Sequence, residues 1–520
     1  MRIGIDVGGT HTDAVLMHGD NLLAATKALT SQDVTSGIVS ALRTVIKESG
    51  IKAQQIQSVM IGTTQFTNAV VERRELAPTA IIRLSLPSGE GLPPGCDWPQ
   101  DLVQAMQLQS YQVNGGYLYD GWPLSEINLE QLESVVSDIK AKGIRNIALA
   151  SAFSPMNSEP EFQAQRYIEQ HIPDAQITLS HKMGKLGILE RENAAALNVA
   201  LLPFAQKVVR AFLHALQKEG LSCPMFISQN DGTLMNAEFI TRYPALTFSS
   251  GPTNSLRGAS KLTGIKDAIV VDIGGTTSDI GVLQDGFPRE SNVVIEVGGV
   301  RTNFRMPDIQ AVGLGGGSIV QDNGKRLGPQ SIGHNLVNEG LVFGGNTLTA
   351  TDIIVAMGKA EIGDATRLTQ LSPDTVNNAR EQIKSMLDQH IDMMKPGSKP
   401  VPVILVGGGA ILVQDELQSA SKVIRPENAA VANAIGASIA QIGGEAEAML
   451  NYRSLSREAA IQQVKQQAVD NAIAAGAIPD SLKLADIEET SIPYMDDGNI
   501  KLRVKVIGDI TLSAAKGVSA

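Results

Sequence analysis

Two cysteines, Cys96 and Cys223, are all the thiol chemistry in 520 residues. They form no CxxC pair and no spaced framework, which excludes a disulfide-stapled fold and a cysteine metal site and suits a reducing compartment. Aromatics are equally scarce at 4%, which argues against a stacking platform for bases or sugars. Basic charge is in deficit, with 43 Lys and Arg against 54 Asp and Glu for a net charge of −11. No cationic footprint for a phosphate backbone or an anionic bilayer is therefore expected, and neither nucleic acid nor a membrane is an expected partner. The longest apolar run, 401–413, is too short to span a bilayer and is broken by Gly407-Gly408-Gly409. Met1-Arg2-Ile3-Gly4-Ile5-Asp6 meets an acid before any apolar leader could develop, so the cytoplasm is the expected location.

Glycine is in excess: 50 residues, about a tenth of the chain against a usual figure of about 7%, and clustered. Short Val/Ile-rich runs alternate with helical periodicity, the pattern of an α/β fold with a largely buried sheet. Strands are expected at 3–7, 14–17, 58–62, 80–84, 146–151, 268–273, 280–283 and 403–406. Asp33 and Gly50 bracket one helix as N-cap and C′ residue. A long helical stripe runs over about 190–218 and should kink or divide at Pro203. Residues 86–125 read as an irregular insertion, and 445–475 as a helix before two short strands.

An internal repeat is the most informative feature. Asp6-Val7-Gly8-Gly9-Thr10-His11-Thr12-Asp13 is echoed by Asp272-Ile273-Gly274-Gly275-Thr276-Thr277-Ser278-Asp279. Each copy reads strand, Asp, Gly-Gly-Thr turn, Asp, strand. Such glycines let backbone N–H groups approach a polyphosphate as an anion nest, and the Thr hydroxyls of Thr10, Thr12, Thr276 and Thr277 add donors. A carboxylate beside phosphate is repulsive unless a divalent cation lies between, so Asp6 and Asp272 point to Mg²⁺ held through water. Asp13 and Asp279 would organise that water or act as general base. One such turn could simply close a hairpin; two with the same flanking acids argue for duplicated lobes around a phosphate site. His11 could donate to a phosphate oxygen or be an ordinary loop histidine.

Gly407-Gly408-Gly409 follows an apolar strand, where a flat adenine or ribose could lie against backbone, although the cluster has neither GxGxxG nor Walker A spacing. A fourth cluster, Gly313-Leu314-Gly315-Gly316-Gly317-Ser318, could serve phosphate or substrate, with Gly315 and Gly316 the candidates. Two Asp hairpins followed by a glycine turn resemble the layout of the actin-like ATPase fold, shared by sugar and acetate kinases, actin and heat-shock chaperones. That resemblance implies two duplicated actin-like (ribonuclease H-like) lobes and ATP as the nucleotide.

Beyond these loops the chain resembles the hydantoinase/oxoprolinase family, A-type subunit. The resemblance rests on Asp6–Asp13, Gly62-Thr63-Thr64, Thr67-Asn68-Ala69, Glu72-Arg73, Arg191-Glu192-Asn193-Ala194, Ser228 to Gly232, Ser250-Gly251-Pro252, Asp272–Asp279, Val312 to Ile319, Thr351-Asp352 and Ala432-Asn433-Ala434-Ile435-Gly436. It implies a first lobe over 1–189, a second over 190–444 and a small C-terminal region over 445–520. It implies ATP-dependent phosphorylation of the carbonyl oxygen of a cyclic amide or imide, such as a hydantoin or 5-oxoproline, followed by hydrolysis on a separate B-type subunit. An oligomer is expected. A family-like His-Glu pair is absent where Ser154-Pro155-Met156-Asn157-Ser158-Glu159-Pro160-Glu161 stands, and Ser228-Gln229-Asn230-Asp231-Gly232 replaces the usual Ser-Asn-Gly-Gly. Arg191, Glu192 and Asn193 would be either a solvated helix start or functional, and Asp352 a helix-start residue. A non-catalytic ATPase switch and a small-molecule kinase that releases a phosphorylated product are the competing functions.

Overall fold

The computed structural model describes all residues except 9–10, 30–33, 120, 185–186, 292–293, 305, 415, 492–498 and 511–520. Every expected strand forms, several of them lengthened at their ends. Strand Arg2–Val7 runs antiparallel to His11–His18 and parallel to Ser58–Thr63 in a nine-stranded sheet. The sheet's order is Lys483–Ser491, Asn499–Gly508, Ile442–Asn451, Leu234–Asn236, Met225–Ser228, Ser58–Thr63, Arg2–Val7, His11–His18, Asn21–Leu29. Alternation sends Ile3, Ile5 and Val7 into one core with Ile38, Leu42 and Val45 of helix Val34–Ser49. Gly4 faces the other way, where a Cβ would lie 2.1 Å from the Ala434 carbonyl oxygen.

The second lobe repeats this plan. Strand Ala268–Ile273 is antiparallel to Ser278–Gln284 and parallel to Val401–Val406, with Ala420–Ile424, Phe287–Pro288 and Ile309–Val312 completing six strands. The duplicated actin-like α/β architecture is thus present in the strand pairing itself.

Two helices carry the chain between the lobes: Ser250–Thr263 leads out to the second sheet, and Ala432–Ile439 leads back to the first. They cross with nothing but backbone between them. A Cβ on Gly258 would lie 1.8 Å from the Ala432 carbonyl oxygen, and one on Gly436 would lie 1.8 Å from that of Asn254.

Sheet membership departs from the expected boundaries. The long helix is one piece, Ile188–Lys218, continuous through Pro203, and it packs in the first-lobe core. By length and composition it could cross a membrane, yet over half of its most apolar window is buried inside the protein. Strands Met225–Ser228 and Leu234–Asn236 also belong to the first sheet, so the second lobe's own sheet begins only at Ala268. Residues 445–475 do not form one helix. Strand Ile442–Asn451 takes the first part, because Glu445-Ala446-Glu447-Ala448, good helix formers by themselves, pair with Asn499–Gly508, and helix Arg457–Ala474 follows. The C-terminal strands extend the first sheet, pinned where Lys505 Nζ meets Asp231 Oδ2 at 2.8 Å. Nor is 86–125 wholly irregular. It contains helix Gln100–Ala105 and the edge strand Gln109–Asn114 of a four-stranded parallel sheet with Thr79–Leu86, Asn146–Ser151 and Gln176–Leu179, built on its own core. The polar sequence of that half-buried strand conceals it from a hydrophobic pattern.

The helix crossing makes a direct prediction. Gly436→Val should lower the thermal midpoint by several degrees, since overpacking a closed contact costs about 1–3 kcal/mol. An unchanged midpoint in scanning calorimetry would contradict the close approach.

Candidate functional site

The two hairpins match in their hydrogen bonding. Asp6 pairs with Asp13 across the first and Asp272 with Asp279 across the second. Gly8 N donates to the His11 carbonyl at 3.0 Å, and Gly274 N to that of Thr277 at 2.9 Å. Each strand-end acid abuts a glycine beside it: a Cβ on Gly62 would lie 2.4 Å from Asp6 Oδ1, and one on Gly407 would lie 2.2 Å from Asp272 Oδ1. A side chain at either glycine would displace the carboxylate.

The hairpins face each other across a cleft of about 350 Å³. Asp6, Gly8, His11, Asp13, Asp272, Gly274, Gly275, Gly316, Gly407, Gly408 and Gly409 line it, bringing most of the sequence candidates together. Gly9 and Thr10 lie outside the described residues. Thr12 is buried in its strand opposite Val7, while Thr276 and Thr277 are exposed on the second turn. Gly315 supports that turn from below, since a Cβ there would lie 2.6 Å from Thr276 N. Gly316 N and Gly317 N donate to the carbonyls of Gly274 and Gly275 at 3.0 and 2.7 Å. The fourth glycine cluster therefore shapes the second turn through backbone contact as well as lining the cleft.

Electrostatically the cleft is short of positive charge. Asp6 is buried, and burial together with Asp13 and Asp272 pushes it up to about 7, although the nearby amides of Asn254 and Asn433 oppose the shift. Asp6 Oδ1 accepts no hydrogen bond. Poor access to solvent and the neighbouring Asp272 push Asp279 up to about 7 as well, and Asp272 is raised mainly by burial while Ser255 Oγ donates to it. His11 is held below its usual range by burial and by Lys27, with Asp13 opposing the shift.

Three contacts here escaped motif reasoning. Asn433 Nδ2 donates to Asp6 Oδ2 at 3.0 Å and to Asp13 Oδ2 at 3.1 Å, bracing both acids from the returning helix. Lys27 Nζ meets both oxygens of Asp13, at 2.6 and 2.7 Å. Ser255 sits on the outgoing helix. Asn433 lies in the Ala432–Gly436 segment that carries the family resemblance, whereas the only signal for Lys27 is a lone Lys in an otherwise mostly apolar edge strand.

The donor set suits a hydrated divalent cation. The buried Asp6 carboxylate, with its Oδ1 accepting no hydrogen bond, and the facing Asp272 are the groups that could hold such an ion. Among the described residues no group of three or more His, Cys, Asp or Glu is arranged to hold a metal by itself, so such an ion would share its shell with phosphate and water.

Other singled-out segments turn out to be internal. Arg191, Glu192 and Asn193 are buried, so the solvated helix start is excluded. Arg83 Nε and Nη2 donate to the two oxygens of Glu192 at 2.6 and 2.7 Å, Trp98 Nε1 to Asn193 Oδ1 at 2.9 Å, and Arg191 Nη2 to the Ser151 carbonyl at 2.7 Å. These bonds clamp the long helix to the parallel sheet. Glu161, within the departing segment, accepts from His181 Nδ1 at 2.6 Å and Ser180 Oγ at 2.5 Å in the same buried network. Asp231 is held at about 2: burial would raise it, but Lys505 overrides that. Asp352 forms a capping box with Thr349 at a helix start, as expected.

Comparison with known proteins adds context. The hydantoinase/oxoprolinase N-terminal region matches residues 2–172, and hydantoinase/oxoprolinase matches residues 191–447. The chain is 27% identical to the acetophenone carboxylase gamma subunit of Aromatoleum aromaticum over 400 residues, covering 68% of this chain and 53% of that one. It is 23% identical to the caprolactamase subunit alpha of Pseudomonas jessenii over 382 residues, covering 69% and 54%. These matches span about half of the curated relatives' own length. The crystal structure of ATP-dependent caprolactamase from Pseudomonas jessenii superposes with a TM-score of 0.79 at 17% identity, covering 98% of this chain and 88% of that one.

The raised acids set a pH dependence. With folded values of about 7 against the ordinary aspartate value of 3.8, Asp6 and Asp279 keep protons in the folded state that the unfolded chain has released. Stability of the nucleotide-free protein should therefore fall as pH rises from about 4 to about 7 and then level off. Asp6→Asn should raise its melting temperature at pH 8 by a few degrees and shrink the difference between pH 5 and pH 8. A variant no more stable at pH 8 would contradict this charge assignment.

Proposed function

The chain belongs to the hydantoinase/oxoprolinase family, and on that premise we propose that it uses ATP to phosphorylate the carbonyl oxygen of a cyclic amide or imide, activating it for ring opening. The observation that carries this reading is the pair of matching Asp–turn–Asp hairpins facing one cleft. Gly8 to Thr10 and Gly274 to Thr276 take the phosphates, Gly407 to Gly409 the adenosine, and Asp6 and Asp272 hold Mg²⁺ through water. When bound beside Asp6 and Asp272, such an ion would supply charge neutralisation for the phosphates. Asp13 and Asp279 order water or accept a proton.

The chemistry follows from the poor electrophilicity of an amide. Its carbonyl oxygen attacks the γ-phosphorus, forming an O–P bond as the bond to the β–γ bridging oxygen breaks, and ADP departs with that electron pair. Loss of the amide N–H proton leaves an O-phosphorylated imidate. Water adds to its carbon, the ring C–N bond breaks, and the resulting acyl phosphate is hydrolysed to carboxylate and phosphate. This chain supplies positioning and charge stabilisation for the first step. The hydrolytic steps fall to a separate B-type subunit, a reading supported by the relatives, which are named as subunits. The same first step on the enol oxygen of a ketone would prepare it for carboxylation, a second reading favoured by the acetophenone carboxylase relative.

Mg·ATP with a panel of lactams, hydantoins, 5-oxoproline and, with bicarbonate, aryl ketones should show ADP release stimulated by one substrate class. Asp272→Asn should abolish that release, a loss of about 10²–10³-fold or more, with the circular dichroism spectrum intact. Undiminished turnover in the variant would overturn the Asp272 role. ADP release indifferent to every carbonyl substrate and altered only by a protein partner would favour the ATPase-switch reading.

A further inference from the structure

Because the lobes are duplicated, the place where they differ is informative. In each, the hairpin's second strand pairs antiparallel with a further strand. Asp13 stands opposite Lys27 of Asn21–Leu29, whereas Asp279 stands opposite Ala311 of Ile309–Val312. The first lobe thus places an ammonium where the second places a methyl group. Lys27 is also the one Lys or Arg among the described residues lining a cleft that contains Asp6, Asp13 and Asp272.

We propose that Lys27 is the cation that takes up the charge of the nucleotide's terminal phosphoryl group, leaving Asp13 when the nucleotide enters; this rests on the ATP reading above. Lys27 holds Asp13 through a pair in which a third of the lysine side chain is exposed, at 34%, while the carboxylate is buried, at 3%, so the ammonium has room to turn toward the cleft provided the carboxylate it leaves keeps another donor. A phosphate oxygen offers the compact ammonium a stronger partner. Asp13 is not stranded by the exchange, because Asn433 Nδ2 still donates to it at 3.1 Å. The location favours the terminal group. Lys27 rides the edge strand of the first sheet, whereas the Gly407–Gly409 turn belongs to the second lobe across the cleft. The second lobe has no counterpart charge at Ala311, which makes the first lobe the side that senses the third phosphate.

The test compares Mg·AMP-PNP and Mg·ADP binding by calorimetry in wild type, Lys27→Ala and Lys27→Arg. The Ala variant should bind Mg·AMP-PNP at least about 10-fold more weakly, with Mg·ADP changed less than about 3-fold, and Arg should restore most of the difference. Should Ala disturb folding, Lys27→Met keeps the stem and carries the same comparison. Equal losses for both nucleotides, or none, overturn the Lys27 assignment while the ATP reading stands. A folded wild type that binds neither nucleotide overturns both.

Discussion

The concentration of carboxylates between the lobes is the constraint on which the rest depends. Asp6, Asp13 and Asp272 face one cleft with Lys27 as their cation, and Asp279 pairs with Asp272 behind them. Left alone, such a site penalises itself, and Asp6 and Asp279 respond by holding protons near neutrality. Such an arrangement leaves the carboxylates uncompensated, which is what the cation and polyphosphate site proposed above would require. The glycines follow from the same requirement. Gly62 and Gly407 leave the two strand-end acids room, and Gly274, Gly275 and Gly316 bring backbone to the place where phosphate oxygens would lie.

The path of the chain ties this chemistry to the architecture. Both connections between the lobes are helices, and they cross at Gly258 and Gly436 with carbonyl oxygens where side chains would be. The outgoing helix presents Ser255 to Asp272, and the returning one presents Asn433 to Asp6 and Asp13. Each lobe's acids are therefore braced by a connecting helix, so the relative placement of the lobes and the setting of the carboxylates are not independent.

Much of this is legible in the sequence, for a physical reason: a hairpin is local, so Asp, Gly-Gly-Thr and Asp at fixed spacing dictate both its turn and its acids. The pairing of Asp6 with Asp13 and of Asp272 with Asp279 follows directly. What was not legible depends on distant pairing. Nothing local to Ile442–Asn451 reveals that it rejoins the first sheet, because Glu445-Ala446-Glu447-Ala448 are good helix formers and only pairing with Asn499–Gly508 makes them a strand. Arg191 and Glu192 look like a charged helix start until Ser151, Ser180 and Arg83 close over them. Lys27 and Asn433 belong to no turn, and only strand register and helix crossing deliver them to the cleft.

The most direct test of the central claim is the proton balance of nucleotide binding. Calorimetric titration of Mg·ATP at pH 7 in buffers of different ionisation enthalpy should show net proton release, because a cation beside Asp6 and Asp272 expels protons from the raised carboxyls. The release should vanish near pH 9, where those groups are already ionised. Binding with no proton exchange at pH 7, or with proton uptake, would contradict the account of the cleft as an uncompensated cation and phosphate site.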